Sequence, residues 1–308
     1  MKIAVIGFGY WGEILVKSLL GLKNSYSYLC VVDIDTTKKK EARKYKLDFF
    51  KDANSALPRV ESVIIATPEH THYEIVKLCL LKKKQVLVEK PLSLKFRQAK
   101  ELVDLSEKSS LTLMVDSTFL FDKSFLSIKE KIKKGEIGKL TRIDSFRFSP
   151  NISRPKDNVV SDLLPHDLSL FYSLFKKHPK KIKVDYQALK NKHWDNACVK
   201  LDYGATKTYS HLSWTAPNAR REMIIYGSKG VFLWTKKDEF KDKISTFKYE
   251  KDSKLNLKDS MEIGDKDKTL QSVLTEFLGS INLKKEPKSS GRATLTQIKT
   301  LEKILDKI

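Results

Sequence analysis

Lys2-Ile3-Ala4-Val5-Ile6-Gly7-Phe8-Gly9-Tyr10-Trp11-Gly12 stands at the start of the chain and decides its fold. The apolar run is typical of a buried parallel strand, and the three glycines have the G-x-G-x-x-G spacing that leads from such a strand into a helix. The first glycine permits the tight turn, the second leaves room for a pyrophosphate, and the third lets the helix pack closely. This stretch therefore predicts a dinucleotide-binding loop made of Gly7, Phe8, Gly9, Tyr10, Trp11 and Gly12.

A second apolar run, residues 28–32, ends at an acidic residue that suits the ribose of a dinucleotide. Asp33 lies 21 residues after Gly12, close to the roughly 20 expected for such an acid. A carboxylate there accepts hydrogen bonds from ribose hydroxyls and repels a 2′-phosphate, which favours NAD over NADP. Asp35 is an alternative ribose ligand, and the lysines at 38–40 would tolerate a 2′-phosphate, so NADP remains the less favoured cofactor.

The pattern of elements changes near residue 117. Before it, short apolar strands alternate with helical segments, including residues 94–108 with Ser93 as the predicted N-cap. After it, runs of β-forming residues surround a helix at about 164–175, and the polar segment 252–268 is predicted to be a loop. The expected fold is an α/β Rossmann domain with a doubly wound parallel sheet at 1–118, followed by an α+β domain with a mostly antiparallel open sheet at 119–291.

Composition narrows the classes of partner. The 308 residues carry a formal net charge of +21, but the basic residues are mostly lysines spread along the chain, whereas nucleic-acid recognition concentrates arginine and aromatic residues on one element. We expect no nucleic-acid partner, and a field that favours an anionic substrate. No apolar run approaches the roughly 20 residues of a membrane span, so we expect a cytoplasmic protein without a membrane partner. The three cysteines lack metal-ligand spacing, which predicts no metal site.

Two further motifs carry groups suited to moving a proton. Glu89-Lys90-Pro91 follows a predicted strand at the edge where open parallel sheets bind ligands. Asp162 and His166 are spaced i, i+4, with Pro165 expected in the first turn of their helix. Histidine exchanges protons near neutral pH, as alcohol oxidation requires. Taken alone, the first motif favours an exposed loop lysine and the second a structural histidine.

Together these motifs, with Ala66-Thr67-Pro68 and Thr71-His72-Tyr73 between them, resemble the glucose-fructose oxidoreductase and inositol dehydrogenase family (Gfo/Idh/MocA). The resemblance implies Lys90 as the catalytic lysine, His166 as the proton-transfer residue and Asp162 as the acid that orients the substrate or tunes its neighbours. It places Thr67, Pro68, His72, Glu89 and Lys90 at the cofactor and makes the Lys90-Pro91 bond cis. It also implies that residues 292–308 pack on the first domain, and that the C-terminal sheets pair into homodimers or homotetramers. Glu13-Ile14 and Ser161 depart from the family pattern.

The expected function is NAD-dependent hydride transfer between a nicotinamide cofactor and a sugar hydroxyl or keto group. Residues 158–169, with Arg147 upstream, look most like members from surface-polysaccharide pathways, which indicates C3 of an N-acetylated UDP-sugar. Arg147, Arg154 and Lys156 are candidates for an anionic group of that substrate. The alternatives are an inositol or free-monosaccharide dehydrogenase or reductase and, from another class, a non-catalytic dinucleotide-binding regulator.

Overall fold

The computed structural model describes residues 1–150, 158–189, 194–236, 241–250, 254–264 and 267–307. The chain forms two compact units, Met1–Thr118 with Leu270–Ile298 and Phe119–Thr269 with Lys299–Ile308. The segment 292–308, predicted to pack on the first domain, is therefore divided: its residues up to Ile298 belong to the first unit and the rest to the second.

A six-stranded sheet forms the centre of the first unit, in the order β3-β2-β1-β4-β5-β6. All neighbouring strands are parallel, which confirms the predicted doubly wound sheet. The strands are β1 (Lys2–Ile6), β2 (Tyr28–Val32), β3 (Asp48–Phe50), β4 (Ser62–Ile65), β5 (Gln85–Glu89) and β6 (Leu113–Asp116). The helices are α1 (Tyr10–Leu20), α2 (Lys39–Lys44), α3 (Ala53–Ala56), α4 (His72–Leu81) and α5 (Phe96–Lys108).

The core of the first unit is the apolar sheet and the helices that pack on it. Ala4, Val63 and Val86 are fully buried on neighbouring strands, together with Val76 of α4 and Leu102 of α5. Because all strands run in the same direction, the segments that follow β1, β4, β5 and β6 emerge at one edge of the sheet. This edge carries the glycine loop and the Glu89-Lys90-Pro91 motif.

An eight-stranded sheet forms the second unit, in the order β14-β13-β12-β11-β7-β10-β9-β8. Its described pairs are antiparallel except β7 with β10, which confirms a mostly antiparallel sheet. The strands are β7 (Leu140–Phe148), β8 (Lys181–Gln187), β9 (Asn196–Asp202), β10 (Lys207–Ser213), β11 (Arg220–Gly227), β12 (Gly230–Lys236), β13 (Lys241–Tyr249) and β14 (Leu255–Gly264). The helices of this unit are α6 (Lys123–Lys133) and α7 (Val159–Phe175). Two further helices, α8 (Asp267–Leu283) and α9 (Gly291–Leu305), contain residues of both units.

The loop predicted at 252–268 is wrong over most of its length, because β14 lies there and pairs antiparallel with β13. Leu255, Leu257, Met261 and Ile263 lie on this edge strand, but a bulge opposite Thr246 and Phe247 shifts the register, so the sequence shows no unbroken period of two. In the described part of the chain, no helix is both long enough and apolar enough to cross a membrane.

Candidate functional site

The glycine loop between β1 and α1 has the shape that its sequence predicts. Gly7 has φ of +92°, and a Cβ there would lie 2.7 Å from the carbonyl oxygen of Ala66. A Cβ on Gly12 would lie 1.9 Å from the carbonyl oxygen of Gly7, so α1 packs too closely for any side chain. Both positions therefore require glycine.

The second glycine leaves an open space beside the helix terminus. Gly9 is the N-cap of α1, and no described atom lies within 4 Å of the position that its Cβ would take. The first turn of α1 directs its free N–H groups and positive dipole end towards this space. A dinucleotide pyrophosphate fits this arrangement, and a side chain at position 9 would fill the space.

The Asp33 carboxylate is fixed against the glycine loop. Its Oδ2 accepts a hydrogen bond from the Phe8 N–H at 2.6 Å, and its Oδ1 accepts one from the Asp35 N–H at 2.9 Å. Asp35 instead caps the turn at Thr36–Lys38, where hydrogen bonds from Thr37 hold the pKa of Asp35 below its usual range. Of the two candidate ribose ligands, Asp33 is the one that the structure brings to the loop.

His72 joins the segments that follow β4 and β5. Its Nδ1 lies 2.7 Å from the carbonyl oxygen of Pro91 and its Nε2 lies 2.9 Å from that of Thr67. The side chain is buried at the start of α4, and burial lowers the pKa of His72. The Lys90-Pro91 bond is cis, as the resemblance implied. His72 therefore links the segment after β4 to the segment after β5. Thr71 adds contacts within the first of these segments, since its Oγ1 lies 2.7 Å from both Thr67 Oγ1 and the Pro68 carbonyl oxygen.

Glu89 connects the glycine loop to the end of the sheet. Trp11, in the first turn of α1, donates its indole N–H to Glu89 Oε1, and the Lys90 N–H lies 3.2 Å from Glu89 Oε2. Glu89 is the register partner of Asp116 in the neighbouring strand. Burial raises the pKa of Glu89 well above its usual range and the charge of Asp116 raises it further, whereas the Lys90 ammonium acts in the opposite direction.

Asp116 is a site residue that sequence reasoning did not identify. It is the last residue of β6, and its Oδ1 accepts a hydrogen bond from Thr118 Oγ1 at 2.7 Å. An acid at the end of a buried apolar run was the available signal, but its importance depends on β5 and β6 being neighbours. Without the strand order, Asp116 is indistinguishable from any other acid at the end of a strand.

In the second unit, α7 carries Asp162 and His166 one turn apart. The Asn158 side chain caps this helix by accepting hydrogen bonds from the backbone N–H groups of Val160 and Ser161. The helix thus begins at Val159, and the prediction of Pro165 in its first turn is wrong because Pro165 lies in the second turn. Asp162 is buried, and the Phe119 ring contacts His166 edge-on at 5.0 Å between centroids.

The predicted substrate-binding cations differ in what the structure shows of them. Arg147 is buried on β7, where its Nε donates to Asp167 Oδ1 at 2.5 Å and its guanidinium lies 4.4 Å from the Phe119 ring centroid. Its charge is therefore neutralised within the second unit. Arg154 and Lys156 lie outside the described residues.

Two cations that the sequence did not single out line a cavity of the second unit. This open cavity is lined by Phe119, Ser145, Phe146, Arg147, Arg221, Glu222, Met223, Trp234 and Lys236. Phe119 also contacts His166, so the cavity shares a wall with the candidate proton-transfer residue. The charges around the cavity are mixed, because Glu222 also lines it and Lys236 lies 3.9 Å from Asp242.

This fold and these motifs define an oxidoreductase with an NAD-binding Rossmann domain. The family model described as "Oxidoreductase family, NAD-binding Rossmann fold" matches residues 1–117, and the Gfo/Idh/MocA C-terminal domain model matches residues 125–233. The chain belongs to the Gfo/Idh/MocA family.

Three similar proteins illustrate the range of this family. The oxidoreductase YhhX of Escherichia coli is 28% identical over 76% of this chain and 71% of its own length. Myo-inositol 2-dehydrogenase of Thermotoga maritima is 26% identical over 75% of this chain and 74% of its own length. The solved UDP-N-acetylglucosamine 3-dehydrogenase GnnA of Acidithiobacillus ferrooxidans has a TM-score of 0.83 at 19% identity, covering 99% of this chain and 96% of that one, which shows a shared fold.

Proposed function

We propose that this protein is an NAD-dependent dehydrogenase that oxidises a hydroxyl group of a sugar or reduces the corresponding keto group. The observation that carries this proposal is the position of Lys90, which directly follows β5 at the sheet edge that also carries the glycine loop. Ligands of open parallel sheets bind at this edge, so a lysine there suits a group that acts on the substrate beside the dinucleotide.

The side chains divide the work of proton transfer. The loop from Gly7 to Gly12, with Asp33, would hold the dinucleotide, which when bound would supply the hydride chemistry. In the proposal, the Lys90 ammonium donates a hydrogen bond to the reacting oxygen and stabilises the negative charge that develops there. His166 accepts the hydroxyl proton, and Asp162, one helical turn away, stabilises the resulting imidazolium.

The choice of NAD over NADP is supported by the Asp33 carboxylate at the glycine loop. We expect Asp33→Asn to shift the ratio of NADPH to NADH affinity towards NADPH by at least about tenfold, because hydrogen bonds to a charged group contribute about 1.5–3 kcal/mol and the repulsion of a 2′-phosphate is lost. The matched control is Asp35→Asn, whose carboxylate bonds to its own turn. Fluorescence titration measures both ratios, and equal ratios in the two variants would contradict the assignment.

For the substrate class, we propose a nucleotide sugar, with C3 of an N-acetylated UDP-sugar as the leading case. The net charge of +21 favours an anionic substrate, and the GnnA fold accommodates this chemistry. The second candidate is an inositol or free monosaccharide, favoured by the similarity to myo-inositol 2-dehydrogenase.

The test is the formation of NADH from NAD with UDP-N-acetylglucosamine, its glucuronate form, UDP-glucose and myo-inositol. Turnover of a UDP-sugar supports the leading case, whereas turnover of myo-inositol alone supports the second candidate. A protein that binds NAD tightly but oxidises none of them would contradict the proposed substrate classes and favour a non-catalytic regulator.

A further inference from the structure

Two carboxyl groups meet at the ends of neighbouring strands. Glu89 is the last residue of β5 and Asp116 the last residue of β6, and the two are register partners in the parallel pair. Their side chains are close enough to share a hydrogen bond. Two carboxylates in such a position repel each other strongly when both are ionised, so the pair retains a proton over a wide range of pH.

The hydrogen bonds of Asp116 indicate where that proton resides. Asp116 is only 2% exposed, and its Oδ1 accepts from Thr118. Its Oδ2 is buried and receives no hydrogen bond from the donor groups that the structure describes. A buried acceptor without a donor costs about 1–3 kcal/mol, and more when it is charged. A proton on Glu89 supplies the donor that Asp116 Oδ2 lacks.

Glu89 also contacts the loop that would hold the dinucleotide phosphates. Trp11 belongs to the first turn of α1 and donates its indole N–H to Glu89 Oε1. An ionised Glu89 would therefore place a negative charge beside the helix terminus where the pyrophosphate binds. A neutral Glu89 still accepts the indole hydrogen bond but adds no such charge.

We propose that Glu89 and Asp116 hold a single proton on Glu89, and that Asp116 is a positioning residue which keeps Glu89 neutral beside the dinucleotide loop. The other titratable groups near the pair are Lys90, whose ammonium favours ionisation of both carboxyls, and His72, which contacts the Pro91 carbonyl. This inference rests on the proposed function only in assuming that the glycine loop binds a dinucleotide.

The pH dependence of dinucleotide binding follows from this pair. As pH rises through the ionisation of Glu89, the pair acquires its second negative charge and repels the pyrophosphate. Binding therefore takes up a proton in this range, and the affinity falls by at most about tenfold per pH unit, the limit for one linked proton. Glu89→Gln fixes the neutral form. Asp116→Asn removes the charge that holds the proton, so Glu89 ionises at lower pH.

The experiment is calorimetric titration of the purified protein with NAD over a series of pH values, in two buffers that differ in ionisation enthalpy. We expect NAD binding to wild type to take up a proton and to weaken as pH rises. Glu89→Gln should keep its NAD affinity over the same pH range without proton uptake. Asp116→Asn should bind NAD more weakly at neutral pH, with little pH dependence. The control, Asp104→Asn, removes an exposed acid of α5 that pairs with Lys100 and should behave as wild type. Identical pH dependence in wild type and Glu89→Gln would overturn the inference.

A measurement without dinucleotide separates this inference from the proposed function. We expect the infrared spectrum of wild type at neutral pH to show the C=O stretch of a protonated carboxyl group, and both Glu89→Gln and Asp116→Asn to lack it. If wild type shows this C=O stretch but does not bind NAD, the proposed function is contradicted and the shared proton is retained. An infrared spectrum unchanged by Glu89→Gln would overturn the shared proton even if NAD binds. If circular dichroism shows that Asp116→Asn does not fold, the comparison of wild type with Glu89→Gln still tests whether Glu89 holds the proton.

Discussion

Lys90 is the residue on which the proposed chemistry depends most. We expect Lys90→Met to lower kcat about 10²- to 10⁴-fold, the usual contribution of a group that assists proton transfer, and to change NAD affinity much less. Steady-state kinetics on the identified substrate and NAD titration measure the two effects. Lys108→Met, an exposed lysine at the end of α5, is the control. A variant that loses NAD binding and retains turnover would exclude a catalytic role.

His72 makes the stability of the protein dependent on pH. Burial lowers its pKa in the folded protein, so the unfolded chain binds a proton more readily, and stability falls as pH drops below about 6.5, the ordinary histidine value. His72→Gln should lower the free energy of unfolding by about 1–3 kcal/mol at neutral pH by disrupting contacts with the Pro91 and Thr67 carbonyls. The difference from wild type should narrow at about pH 5.5. Urea unfolding at both pH values measures it, and a constant difference would show that folding does not lower the pKa of His72.

Residues within one short motif could be predicted from the sequence, and residues that depend on tertiary neighbours could not. The glycine spacing is set by local backbone contacts, so Gly7 and Gly12 were identified from it. Asp116 and Asp167 could not be identified in this way. The role of Asp116 depends on the pairing of β5 with β6, and that of Asp167 depends on Arg147 in a separate element. The identification of Lys90 came from the resemblance to a family as much as from its position at the end of a strand.

Among the elements, helix ends were harder to predict than the helices themselves. Ser93 is not the N-cap of α5, since Lys95 occupies that position and Ser93 Oγ bonds with the Lys95 N–H and the Gln98 side chain. The start of α7 was placed too late because its capping box uses Ser161 in the position where glutamate or glutamine is the usual signal. In both cases side-chain hydrogen bonds outweighed the pattern of apolar residues.

The contact between α7 and β7 is held by a buried ion pair. Asp167 of α7 is fully buried and accepts hydrogen bonds from Arg147 and Ser145 of β7. Asp167→Ala should lower the free energy of unfolding by about 3–5 kcal/mol, because it leaves the Arg147 charge buried and unpaired. Chemical denaturation followed by circular dichroism measures the loss. Asp185→Ala, at an exposed position of β8, should change stability by no more than about 0.5 kcal/mol.

A second variant tests the ion-pair explanation. Replacing both partners, in Arg147→Met with Asp167→Leu, removes the unpaired charge and should recover most of the lost stability. If the double variant is as unstable as Asp167→Ala, packing around Asp167 rather than charge accounts for the effect.

At the scale of the whole molecule, the two fold classes could be predicted but the order of the second sheet could not. Alternation of strands and helices is a local pattern, and it determines the parallel sheet almost completely because consecutive elements lie side by side. The eight-stranded sheet pairs strands that are far apart in sequence, such as β7 with β10 and β7 with β11. Such pairings leave no local trace in a single sequence.

Assembly is the remaining property of the whole molecule, and we propose a homodimer or homotetramer formed through the eight-stranded sheet. On β7, Ser145 and Arg147 bond to α7, so Phe146 lies on the opposite face. There His211 stacks on Phe146 at 4.7 Å, and the Arg220 guanidinium lies 3.8 Å from the Phe146 ring centroid. Aromatic residues and arginine are enriched at protein interfaces, and this face presents both.

Sedimentation equilibrium and light scattering test the assembly. We expect wild type to have two or four times the chain mass of 35.4 kDa, and His211→Glu combined with Arg220→Glu to shift the protein towards a single chain, because a second copy would bring like charges together in an isologous contact. Lys39→Glu with Lys40→Glu, at exposed positions of α2 in the first unit, is a matched pair of charge reversals that should leave the mass unchanged. A wild-type protein at the mass of one chain would contradict assembly through any face. An oligomer that persists in His211→Glu with Arg220→Glu would locate the interface elsewhere.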